Sequence, residues 1–143
     1  MPLRLFYVAT AADDLTTRSI QSMHSHRVLL LAHGSSDPRW CETFEKLASP
    51  SLAAIPDAAI AYMELSEPSL DAEVARAASE GVHKVTVLPL FLAAGRHLRQ
   101  DVPAMLDKLS EEHGLSIELA TPIGEHPLLG DAIRHIVEER LGA

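Results

Sequence analysis

A single cysteine, Cys41, stands in 143 residues, so the chain has no internal disulfide and no CxxC pair from which to build a thiolate cage for a metal. That scarcity fits a reducing compartment, and the cytoplasm is the expected location. Cations are few as well: 12 Lys and Arg stand against 20 Asp and Glu, a formal charge of −8. Nucleic-acid binding needs clustered Lys and Arg against phosphate, so no nucleic-acid partner is expected. No apolar run approaches the roughly 20 residues that cross a bilayer, so no membrane partner is expected either. The GxSxG elbow of serine hydrolases is missing. Histidine phosphatases place Arg before His-Gly, and that position here is Ala32.

What remains is 47% apolar and 22% charged, the balance of one globular domain large enough to bury a core without staples. Eight histidines are many for this length and draw attention to metal or proton chemistry. The first 26 residues, MPLRLFYVATAADDLTTRSIQSMHSH, show no clear period. Their apolar stretch after Arg4 is short for a signal peptide. Residues 1–26 therefore read as a flexible extension, or as a start placed upstream of Met23, ahead of a domain at 27–143. His24 and His26 form an HSH pair, but no dedicated metal site is expected of them.

From Arg27 the pattern alternates. RVLLLA is an apolar strand. Asp37 can cap the helix behind it, with Pro38 at its first position and Trp40, Phe44 and Leu47 on one face. AAIAYME is a second strand. A helix from about Pro68 turns Leu70, Val74 and Ala77 inward and closes at Gly81. KVTVLPLF is a third strand. A helix capped by Asp101 carries Met105, Leu106 and Leu109 as far as His113-Gly114. LSIELA is a fourth strand, and HPLLGDAIRHIVEERL a last amphipathic helix that buries Ile133, Ile136, Val137 and Leu141. Strict alternation, with strands apolar on both faces, predicts an α/β fold: a four-stranded parallel sheet in three layers, with helices on both sides.

The polar residues fall at the strand ends. His33 closes the first strand, Glu64 the second, and His97 lies in the loop after the third, at intervals of 31 and 33 residues. Equivalent places in successive βα units share one edge of a parallel sheet, the edge where ligands bind. Two imidazoles and a carboxylate there suit a divalent transition metal with positions left open. Each also has a plainer role: a corner residue, a solvated acid at a helix entrance, a surface loop histidine. Within AAGRHLRQD, Gly95 permits unusual backbone angles that would bend the loop over the edge. Arg96 and Arg99 add positive charge, either as ordinary surface or for a carboxylate-bearing substrate. Ser35 and Ser36 suit a helix cap better than a nucleophile. His83 and His113 flank helix ends, His126 opens the last helix, and His135 is mid-helix and exposed.

Taken in order, HGSSDP, ELSEPSL, PLFLAAGRHLRQDVP and TPIGEHPLL resemble the small single-domain CbiX/SirB-type chelatases of sirohydrochlorin, class II tetrapyrrole chelatases of flavodoxin-like fold. The resemblance runs from about Arg27 to Leu141, and its PLF–GxH–DxP block is the most specific part. It implies insertion of Co²⁺ or Fe²⁺ into sirohydrochlorin, toward cobalamin or sirohaem, with the metal as substrate and no prosthetic group. His33 and His97 match the metal-handling histidines, and Glu64 corresponds to a glutamate between them in larger relatives. Longer relatives hold two such units in one chain, which implies a homodimer here. For the tetrapyrrole's carboxylates the candidates are Ser35, Arg96 and Arg99, with Arg39 as a further aid. His and carboxylate ligands accept Fe²⁺, Co²⁺ and Ni²⁺ alike. The competing reading is a non-catalytic carrier of cobalt or nickel built on the same three ligands.

Overall fold

The structure is a computed structural model, and it describes residues 25–143, without the side chain of His97. The segment 1–24, with His24, lies outside the described residues. The elements run β1 (His26–Ala32), α1 (Pro38–Ala54), β2 (Ala58–Tyr62), α2 (Leu70–Ser79), β3 (Lys84–Pro89), α3 (Arg96–His113), β4 (Ser116–Leu119), a 3₁₀ turn (Ile123–Glu125) and α4 (Pro127–Leu141). All strand pairings are parallel, in the order β2-β1-β3-β4. This is the three-layer α/β architecture that the alternation predicts. Among the described residues no helix is long and apolar enough to cross a membrane.

The register follows from the period-two pattern. Leu29 and Leu31 of β1 and Val85 and Val87 of β3 point to one face, where Leu70, Val74 and Ala77 of α2 and Leu98, Val102, Leu106 and Leu109 of α3 close the core. Leu30 points the other way, toward the side that α1 covers, and Ala48 is the buried residue of α1. Asp37 caps α1 by accepting the Arg39 N–H, with Pro38 at the first turn, as expected. Ser69 caps α2 through the Ala72 N–H. His26 belongs to β1 rather than to a tail: it pairs with Lys84, and its Nε2 lies 2.8 Å from Thr86 Oγ1.

The start of α3 and the burial of α4 both differ from expectation. Asp101 followed by Pro103 imitates a helix start, yet α3 begins at Arg96 and Asp101 lies inside it. The apolar spacing Leu98–Val102–Leu106–Leu109 continues through the proline, and all four side chains are buried. Proline inside a helix costs about 3 kcal/mol. Burying Leu98 and Val102 contributes roughly 1.5–3 kcal/mol each, which offsets it. Second, α4 has the expected helix but not the expected burial: Ile133, Ile136, Val137 and Leu141 are 54, 54, 50 and 79% exposed. The outer face of β4 explains this, because Ser116 and Glu118 point there and Glu118 pairs with Lys84 at 2.9 Å. That hydrogen-bonded pairing holds the Glu118 carboxyl below its ordinary range. An apolar helix finds no strip to bury itself against along such a strand.

Candidate metal-handling site

β1 delivers His33 to the carboxyl edge of the sheet, where it is exposed. Its ring stacks on Phe91, centroids 4.2 Å apart and planes within 13°. Phe91 is itself buried and follows β3, the neighbouring strand, whose tip is tied back by Leu90 N–H donating to the Leu31 carbonyl at 2.8 Å. An offset stack of this kind holds a ring in place without occupying its nitrogens.

The loop after β2 is joined to the same corner. Met63 N–H donates to the Ala32 carbonyl and Glu64 N–H to the His33 carbonyl, both at 3.0 Å, so pairing of β1 with β2 continues past the strand ends. Gly34 makes this possible. Its φ is +95°, and a Cβ there would lie 1.7 Å from the Glu64 carbonyl oxygen. Ser66 completes the tie: its hydroxyl accepts the Ser35 N–H at 3.0 Å and donates to the Ser35 carbonyl at 2.9 Å. Leu65, between Glu64 and Ser66, is exposed with φ +59°. A non-glycine residue held there costs on the order of 1–3 kcal/mol and persists only where its surroundings fix it. The two tip loops therefore behave as one unit carrying His33 and the exposed Glu64.

β3 leads to the third candidate by another route. His97 is the second residue of α3 rather than a loop residue, with Arg96 before it and Arg99 one position beyond Leu98. The side chain of His97 lies outside the described residues; Arg96 and Arg99 are exposed. Gly95, at the N-cap, has φ −77° and ψ −179°, extended backbone open to any residue, so the expected unusual angles are not found. Among the described residues no side chain caps this helix, whose N-terminal end favours anions. The fourth tip loop packs against the third: Gly124 N–H donates to the Phe91 carbonyl at 2.9 Å, and a Cβ on Gly124 would lie 1.7 Å from the Leu92 carbonyl oxygen.

The CbiX family model matches residues 27–140. The chain belongs to the CbiX family. The sirohydrochlorin cobaltochelatase of Sulfurisphaera tokodaii is 31% identical over 114 residues, covering 80% of this chain and 92% of that one. That of Methanosarcina acetivorans is 32% identical over 125 residues, covering 80% and 95%. Among solved structures, a CbiX protein from Marinobacter aquaeolei VT8 is 64% identical with TM-score 0.79, over 82% of this chain and 95% of that chain. The sirohydrochlorin chelatase SirB from Bacillus subtilis subspecies spizizenii, in complex with cobalt, shares the fold at TM-score 0.70 and 21% identity. It matches 80% of this chain but only 50% of its own length.

Within this CbiX-family domain, the structure brings His33 and Glu64 together through their backbones and sets His97 at the head of α3, behind the adjacent strand. Among the described residues, which omit the His97 side chain, no three His, Cys, Asp or Glu groups are gathered to hold an ion. The Ser35 hydroxyl accepts the Asp37 N–H at 3.1 Å, so it shapes the loop. Arg39 is pulled to Asp37 at 3.3 Å. His126 caps α4, its Nδ1 accepting the Leu128 N–H, and His135 lies 3.6 Å from Glu138. Sequence reasoning did not single out Phe91, Ser66 or Gly124. All three lie in the segments PLF, ELSEP and TPIGEH, but their partners are 25 or more residues away, beyond the reach of any periodicity.

Beneath the site, the Tyr62 hydroxyl donates to Glu45 at 3.4 Å. Burial first, then the nearby Glu45 and Cys41, push its pKa up to about 12. An unfolded tyrosine titrates near pH 10. The folded state therefore holds this proton more tightly, and stability present below pH 10 is lost as pH rises toward 12. Denaturation midpoints measured across that window are expected to fall in the wild type. The fall should be shallower in Tyr62→Phe.

Proposed function

We propose that this protein is a chelatase that inserts Co²⁺ or Fe²⁺ into sirohydrochlorin, in cobalamin or sirohaem synthesis. The observation that carries the reading is the joined corner of His33 and Glu64, with His97 one strand away, at the ligand edge of a CbiX-family sheet. Insertion exchanges two pyrrole N–H protons for one divalent ion, without a change of oxidation state. The ion must shed water onto a few ligands that let go again, and a base must take each proton. Imidazole suits either task near neutral pH, and a carboxylate adds a hard, exchangeable ligand. His33 and His97 are assigned as ligand and base, with Glu64 as third ligand or proton acceptor.

The macrocycle's carboxylates need positive charge that a protein of net charge −8 does not offer generally. Arg96 and Arg99, with the N-terminal end of α3, supply it beside His97. The chain matches half the length of SirB, which supports a homodimer in which two copies supply what one longer chain holds. A cytoplasmic location goes with the single free cysteine.

The test is direct. Purified protein mixed with sirohydrochlorin and Co²⁺ should convert the tetrapyrrole absorption spectrum faster than a protein-free blank, and parallel runs with Fe²⁺ and Ni²⁺ rank the metals. Metal binding without acceleration over the blank would leave a cobalt or nickel carrier as the better account.

A further inference from the structure

The His33 ring lies flat on Phe91, and Phe91 is built to hold still. Its side chain is 8% exposed and belongs to the core cluster that includes Val87 and Leu98. Its backbone is pinned on two sides. The Leu90 N–H, immediately before it, donates to the Leu31 carbonyl of β1, and its own carbonyl accepts the Gly124 N–H of the fourth tip loop. Six residues further on the chain reaches His97 at the head of α3. One residue therefore supports the first histidine with its ring and leads the backbone into the second. Histidines that hold a metal are usually oriented by another device: the second ring nitrogen donates to a carboxylate or a carbonyl, which fixes the ring and raises its basicity. Among the described residues no hydrogen bond reaches either ring nitrogen of His33.

We propose that Phe91 is a positioning residue of the metal-handling corner: its ring sets the direction in which His33 presents its nitrogens, the task a hydrogen-bonded carboxylate performs behind the histidine of a resident metal. The proposal rests on the chelatase reading and deepens it. A carboxylate behind an imidazole makes it a stronger donor and occupies one nitrogen. A phenyl face does neither. The ligand is thus oriented before the ion arrives, yet holds it no more firmly than a free imidazole, as an ion that must be handed on to a macrocycle requires. A stack of this kind favours the aligned ring by a factor of about 2 to 13. Without it the ion itself must order the ring, and its apparent affinity falls by about that factor.

Phe91→Leu keeps an apolar side chain in the core and removes the ring face, whereas Phe91→Tyr keeps the ring. Val85→Ala, a buried position at the opposite end of β3, is the control for a loosened core. Co²⁺ is titrated into each metal-free protein and followed by its visible absorption, and insertion into sirohydrochlorin is measured across Co²⁺ concentrations. Phe91→Leu should raise both the Co²⁺ dissociation constant and the KM for Co²⁺ about 2- to 13-fold, with kcat nearly unchanged. Phe91→Tyr should recover most of that loss, and Val85→Ala should lower the melting point without moving either constant. In proton NMR of the metal-free wild type, the His33 ring signals, assigned by their loss in His33→Asn, should lie upfield through the phenyl ring current. That spectrum decides the matter even where Phe91→Leu fails to fold. Unshifted His33 signals, wild-type Co²⁺ affinity in Phe91→Leu, or an equal loss in Val85→Ala would each overturn the proposal. Shifted signals and the predicted loss of affinity, in a protein that inserts no metal, would uphold the role of Phe91 and end the chelatase reading instead.

Discussion

His97→Ala and His33→Ala should each lower the rate of the proposed Co²⁺ insertion by about 100-fold or more, the usual range for losing a positioned acid–base group. Unfolding should barely register the first change, because alanine is at least as good a helix former as histidine at the head of α3. Replacing His33 also removes its stack on Phe91, worth about 0.5–1.5 kcal/mol, so a melting point a few degrees lower is expected. Activity and stability thus separate. Steady-state insertion rates with Co²⁺, set beside calorimetric melting of the same preparations, check both. A His97→Ala protein at full rate would remove that residue from the site.

Gly34→Ala should be the most damaging single change on this edge. A methyl group there meets the Glu64 carbonyl oxygen at 1.7 Å, with rigid backbone on both sides, and the positive φ adds strain of its own. Overpacking and left-handed strain together amount to roughly 3 kcal/mol or more, which for a domain of this size lowers the melting point by about 10 °C. The loop carrying Glu64 must move to make room, so insertion falls as well. Gly95→Ala is the control. Gly95 has extended backbone and nothing within 4 Å of its missing Cβ, so its melting point should stay within a few degrees of wild type. Thermal melts of the two variants side by side decide whether the close approach at Gly34, rather than glycine as such, holds the corner together.

Much of this was legible in the residues alone, and the exceptions share a cause. The apolar runs of β1 and β3, and the polar residues immediately behind them, place His33 at the sheet edge because a strand's length and end are local properties. The same holds for Asp37 with Pro38, which cap and open α1. At α3 the local signals point to the wrong place. Asp101 and Pro103 look like a start, and only the burial of Leu98 and Val102 against the sheet shows that the helix begins at Arg96. In α4, periodicity identifies an apolar face but carries no information on what covers it. The contacts that build the corner, Gly34 on Glu64, Ser66 on Ser35 and Phe91 under His33, join residues from different βα units. Their existence depends on the register of the sheet, not on any short motif.

The proposed chelatase needs one divalent ion shared by His33 and His97, with Glu64 within reach. Anomalous diffraction from crystals grown with Co²⁺ tests it most directly. A single ion is expected about 2.1 Å from a ring nitrogen of each histidine, with open positions toward solvent. An ion bound elsewhere, or imidazoles too far apart to touch the same ion within one chain or across a dimer, would contradict it.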